Sequence, residues 1–122
     1  MKKMFIPIHL GNHWVLGFID VERKTTYALD NTGNDQLAIA IALKTFVHLE
    51  HRRFGQAMDD SWRFHEGVPD RVPIQTNMID CGVFVCYMMN VLSLGERLDI
   101  INPNNHEIYR RKLAMSIIKA SL

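Results

Sequence analysis

Cysteine is scarce in this chain, and most of the features that assign a class by composition are missing with it. There are two cysteines, Cys81 and Cys86, too few and too close together for a disulfide framework. On one predicted helix at this separation their side chains are poorly placed to bridge. The Cys-x4-Cys spacing has no Cys-x2-Cys companion, so no structural zinc pattern is present and no metal is expected. No uncharged apolar stretch approaches the length of a membrane-spanning helix, and Met1-Lys2-Lys3 is not followed by a secretory apolar segment. Charge of one sign is lacking too: 14 Lys and Arg face 13 Asp and Glu, for a net +1. Composition therefore gives no broad case for nucleic acid or membrane as partner. The short basic clusters Arg52-Arg53 and Arg110-Arg111-Lys112 read as solvated faces. There is no Gly-rich phosphate loop, internal repeat or linker. What remains is one domain over residues 1–122, 48% hydrophobic, expected in a reducing intracellular compartment, nuclear or cytoplasmic.

The pattern along the chain is that of an α+β domain. Residues 4–10 read as a strand, with Pro7 suggesting an edge. After Gly11-Asn12, residues 14–21 form a nearly continuous apolar strand, the signature of a central position covered on both faces. A short polar link leads to a strand over 25–30, which predicts an antiparallel hairpin. Asn31-Thr-Gly-Asn-Asp then supplies turn and cap residues for a helix over 36–53, whose stripe Ile39, Leu43, Phe46 and Leu49 is expected to face the core. Trp62, Phe64 and Val68 suggest a fourth strand. Residues 81–94 are apolar nearly all round, as in a helix buried mid-domain, and Gly95 ends it. A last helix over 105–121 aligns Ile108, Met115, Ile118 and Leu122.

Chemistry concentrates at the start of the buried helix. A thiol attacks as thiolate, which a helix N-terminus and a neighbouring imidazolium both favour, and Cys81 is placed for the first effect. Asp80 is expected to cap that helix, and Gly82 to let a substrate backbone approach closely. Taken alone, Cys81 also reads as a small buried apolar residue. His13 follows the Gly11-Asn12 turn and precedes Trp14 at a strand start. Asp30 closes the strand predicted to pair with it, so the two can meet across the hairpin, and a base needs such an orienting partner. Asp30 reads equally as the opening of a turn with Asn31. Gln75, in a proline-bounded loop, is placed to donate its amide to an oxyanion or to sit on the surface. Trp14 suits either a core anchor or the lid of a narrow channel.

Together these residues match a family pattern. Phe5-Ile-Pro-Ile-His-Leu-Gly-Asn-His-Trp, Tyr27-Ala-Leu-Asp and Pro73-Ile-Gln-Thr-Asn-Met-Ile-Asp-Cys-Gly-Val-Phe closely resemble the Ulp/SENP family of SUMO-specific cysteine proteases. The order His, Asp, Gln, Cys is the reverse of papain's, which makes the pattern specific. The resemblance implies a papain-like fold of the Ulp/adenain type, a small and mostly antiparallel sheet packed on a central buried helix with flanking helices. It implies His13 as general base, Asp30 as its partner, Cys81 as nucleophile and Gln75 as oxyanion donor. Trp14, Asn77 and Gly82 become substrate-binding residues. Cleavage after the C-terminal Gly-Gly of SUMO follows, in precursors and in lysine conjugates, without a cofactor. Another ubiquitin-like modifier such as Nedd8, or a catalytically incompetent binding module, is the alternative.

Two departures accompany the resemblance. Asn31 stands where the family often has serine, and Met78-Ile79 where small residues precede the Asp-Cys pair. Only four residues precede Phe5, where the family carries helices and much of the modifier-binding surface. The N-terminal part of the usual domain is thus expected to be absent, to be completed by a further segment or a partner chain.

Overall fold

A computed structural model of the chain describes residues 2–67, 69, 72–75 and 80–121. Four strands form one sheet in the order β1-β2-β3-β4, with β1 Lys3–His9, β2 Trp14–Asp20, β3 Thr25–Leu29 and β4 Arg63–Phe64. The first three are antiparallel neighbours, and β4 joins β3 in parallel. Pro7 does lie on an edge strand, where its missing N–H costs no ladder bond on the open side. The predicted fourth strand is two residues long, and Val68 lies outside the described residues.

The continuous apolar run of β2 has the meaning expected of it, since every residue from Val15 to Asp20 is buried. Leu16 and Phe18 face helix α2 (Cys81–Ser93) in a core with Leu29, Phe84, Val85 and Met88. Val15 and Ile19 face the other way, toward helix α1 (Leu37–Arg53), with Ala40, Leu43, Val47 and Trp62. The sheet is therefore sandwiched between two helices. Gly17 sets their closeness on the α1 side. A Cβ there would come within 3.1 Å of Leu43 Cδ1 and of Ile8 Cδ1, so both side chains would have to shift by a few tenths of an ångström to admit one. Where the buried backbone needs polar partners it finds them: Thr26 Oγ1 donates to Ala40 O at 2.7 Å.

Two expectations about helices need correction. Of the stripe expected on α1, Leu43 is buried and Ile39 packs on the core, but Ala40 and Val47 complete the buried face while Phe46 and Leu49 are 41% and 53% exposed. The segment from Leu37 to Leu43 is apolar on several sides, so hydrophobic spacing alone does not choose the buried face. Its N-cap is Gln36, not one of the better-capping residues just before it. Helix α3 (His106–Ser121) has no buried residue, and Ile108, Met115 and Ile118 are each about half exposed. It touches α2 chiefly through Tyr109, stacked on Tyr87 at 4.5 Å between ring centres. Leu122 lies outside the described residues.

Candidate active site

His13 owes its place to the β1–β2 hairpin. Gly11 takes a left-handed φ of +89°, and Leu10 N–H donates to His13 O at 2.9 Å, closing a four-residue loop beyond the pair His9–Trp14. The β2–β3 register sets Leu16 opposite Leu29, so Asp30 arrives just past the paired residues, beneath the imidazole. His13 Nε2 lies 3.1 Å from Asp30 Oδ2, and its Nδ1 lies 2.8 Å from Asn12 Oδ1.

Asp30 fulfils both readings of it. Its Oδ1 accepts from the Thr32 backbone N–H at 2.8 Å and from the Thr32 hydroxyl at 2.6 Å, an Asx-type turn completed by Gly33 at φ +82°. Its Oδ2 faces His13 and also accepts from Gln36 Nε2 at 2.8 Å. Burial pushes the Asp30 carboxyl up. The bonds from Thr32, Gln36 and His13 together outweigh burial and hold it below the usual carboxylate range. At neutral pH it is a fixed negative charge beside the imidazole.

Cys81 opens α2 and is buried. The backbone N–H of Trp14 donates to its Sγ at 3.4 Å, which brings the sulfur to the residue adjoining His13. Among the described residues no hydrogen bond joins the His13 ring to that sulfur. Trp14 is 41% exposed and leans on His9 with ring centres 4.8 Å apart. With Cys81, Gly82, Cys86, Met89 and Arg110 it lines a largely apolar cavity of about 490 Å³. A Cβ on Gly82 would meet Trp14 Cδ1 at 3.6 Å, an ordinary contact. The protein's own packing does not demand a glycine there.

Gln75 is buried at the end of a segment that Asn31 ties down. Gln75 N–H donates to Asn31 O at 2.8 Å, and Asn31 Nδ2 donates to Pro73 O at 2.8 Å. The residue that departs from the family pattern is thus the anchor of the Gln75 loop. Asn77, Met78 and Ile79 lie outside the described residues. Asp80 occupies the N-cap position of α2 but makes no capping bond, contrary to expectation. Its carboxylate is bound instead by Arg110 and His106 of α3, whose donors outcompete the helix N–H groups.

Several of these partners escape sequence reasoning. Thr32, two residues after an Asp, carries the recognisable signal of an Asx turn. Gln36, His106 and Arg110 carry none, because only the folded chain brings them to the residues they hold, and Asn12, although next to His13, has no pattern that marks it as its partner.

Comparison with known proteins identifies the family and the fold. A model of the Ulp1 protease family, C-terminal catalytic domain, matches residues 1–122. Sentrin-specific protease 2 of Homo sapiens is 26% identical over 121 residues, 98% of this chain and 20% of that protein. Ubiquitin-like-specific protease 1 of Saccharomyces cerevisiae is 35% identical over 98 residues, 75% of this chain and 14% of that one. Among solved structures, the SUMO protease Ulp1 with its catalytic cysteine oxidized to a sulfonic acid superposes with a TM-score of 0.80 at 27% identity, over 99% of this chain and 55% of that chain. The Ulp1 protease domain in complex with Smt3, the yeast ortholog of SUMO, gives 0.71 at 29% identity, over 91% and 49%. The chain spans about a fifth of the length of the curated relatives and about half of the solved domains.

Proposed function

The chain belongs to the Ulp1 protease family, and from that membership we propose that it is a thiol peptidase that cleaves after the C-terminal Gly-Gly of SUMO. The observation that carries this reading is one short chain of contacts. Asp30 holds His13, and the next residue, Trp14, touches the sulfur of Cys81 through its backbone N–H.

In this reading His13 takes the thiol proton and the Cys81 thiolate attacks the terminal glycine carbonyl carbon. The C–S bond forms as the carbonyl electron pair moves onto oxygen, where the Cys81 N–H and the Gln75 amide receive it. Collapse breaks the C–N bond, and His13 returns its proton to the departing amine, a lysine side chain in a conjugate or a peptide nitrogen in a precursor. Water, deprotonated by His13, then hydrolyses the thioester and restores the thiol. Asp30 stays ionised throughout and supports the imidazolium. Trp14, above the open space at Gly82, restricts the channel to residues without side chains, and the family resemblance adds Asn77 as a further substrate-binding residue.

A SUMO C-terminal vinyl sulfone is expected to label the protein at Cys81, with labelling lost in Cys81→Ala. Absence of labelling in a folded, reduced sample would sink the assignment. Ubiquitin and Nedd8 probes run alongside decide between modifiers.

A further inference from the structure

Asp80 stands directly before Cys81, is 2% exposed, and gives its carboxylate to another helix. Arg110 Nε donates to Oδ1 at 2.8 Å and Arg110 Nη2 to the same oxygen, while His106 Nδ1 lies 2.9 Å from Oδ2. His106 and Arg110 are one turn apart on α3, so one helix face delivers both. An aspartate in this position ordinarily accepts from the second or third N–H of its own helix, here Gly82 or Val83. Such a bond would set a carboxylate against the helix end that must support the negative charge of the Cys81 thiolate. It would also engage the helix-end N–H groups whose partial positive charge favours the thiolate.

We infer that Arg110 and His106 are positioning residues for Cys81. They hold the Asp80 carboxylate off the start of α2 and neutralise it, so that the helix N-terminus serves the thiolate. The inference rests on Cys81 being the nucleophile. A second observation separates it from a plain tether between helices. Helix α3 buries no residue of its own, yet it supplies two cationic or proton-bearing groups to one buried carboxylate next to the thiol. The titratable and charged groups about Cys81, among the described residues, are His13 and Asp30 on the strand side and Asp80, His106 and Arg110 on the helix side.

The test measures iodoacetamide alkylation of Cys81 against pH in a Cys86→Ser background, which leaves a single thiol. Arg110→Gln is expected to slow alkylation at pH 7 about five-fold and move the profile to higher pH, the scale of one charge at a helix terminus. Arg110→Lys keeps most of the rate. The deciding variant is Arg110→Gln with Asp80→Asn, in which the released group carries no charge and the profile returns toward the parent. A double variant as slow as Arg110→Gln alone would reduce the cluster to a tether and overturn the inference. If Arg110→Gln does not fold, as judged by circular dichroism, His106→Gln provides the same comparison with a smaller shift, and no shift there overturns it equally. Alkylation needs no modifier. Shifted alkylation without SUMO labelling would therefore defeat the functional assignment alone, and labelling with unshifted alkylation would defeat this inference alone.

Discussion

Gln36 and Asp80 occupy the same position, the N-cap, on the two helices that flank the sheet, and neither caps its helix. Each turns its side chain to a partner outside its own helix. Gln36 donates to Asp30 Oδ2 and so supports the histidine; Asp80 is bound by α3 and so clears the start of the thiol's helix. A missing cap costs about 0.5–2 kcal/mol of helix stability. The two helices have given up that stabilisation for opposite reasons. On the α1 side the diverted group adds a donor to a buried carboxylate. On the α2 side the diverted group is itself the carboxylate and is kept away from the thiol. The histidine half is held by adjacent strands and short-range turns, whereas the thiol half depends on a helix that buries nothing else.

That asymmetry predicts which half fails more sharply. His13→Ala removes both the partner of the thiolate and the acid for the leaving group, so the rate constant with a SUMO fusion is expected to fall by about 10²–10⁴-fold. Thermal stability is expected to fall modestly, because the largely buried ring gives up its bond to Asp30 while Thr32 and Gln36 keep theirs. An unchanged rate would mean that another group is the base.

Asp30 gives the next effect, and it is a matter of stability as well as rate. Its folded carboxyl sits below the ordinary value, so the ionised form is favoured in the fold. The stability this contributes is present above the unfolded value near 3.8 and is lost as pH falls through the lowered folded value. Urea midpoints taken between about pH 6 and 2.5 should therefore decline on the acid side in the parent. Asp30→Asn should lack that part of the slope and be weaker at neutral pH by about 1–3 kcal/mol, since Gln36 and Thr32 lose a charged acceptor. Identical acid slopes would show that Asp30 is not the group that titrates.

How much of this was written in the sequence depends on how local each feature is. The strands, their hairpins and the meeting of His13 with Asp30 follow from alternation and turn residues within the first 33 positions, and they appear where expected. Helix α2 was legible because its apolar composition leaves no other place for it. The face of α1 was legible only in part, at Ile39 and Leu43. Several sides of that helix are apolar, and the choice belongs to Gly17, which admits Leu43 to close contact. The exposed apolar side of α3 was equally hidden, because spacing shows that a stripe exists without showing what covers it. Most consequential was the cap. Asp before a helix is a sound capping signal, and it failed at Asp80 because Arg110, 30 residues on, offers the carboxylate a charged partner.

Gln36 provides the finest test of the comparison, because there the cap and the site can be exchanged. Gln36→Ser restores a capping side chain to α1, worth about 1 kcal/mol. It removes a hydrogen bond to a charged acceptor, worth about 1.5–3 kcal/mol. The balance is a net loss of about 0.5–2 kcal/mol in unfolding free energy, with helix α1 itself better protected in amide hydrogen exchange. Activity should fall only a few-fold, since Thr32 and His13 still hold Asp30. The signature is the direction of the two changes: greater protection at Leu37–Ala40 together with a slower SUMO-cleavage rate. Greater protection with an unchanged rate would show that Gln36 contributes nothing to the histidine and that its turn away from the helix is incidental. Lower protection would show that the cap was never the competing interaction.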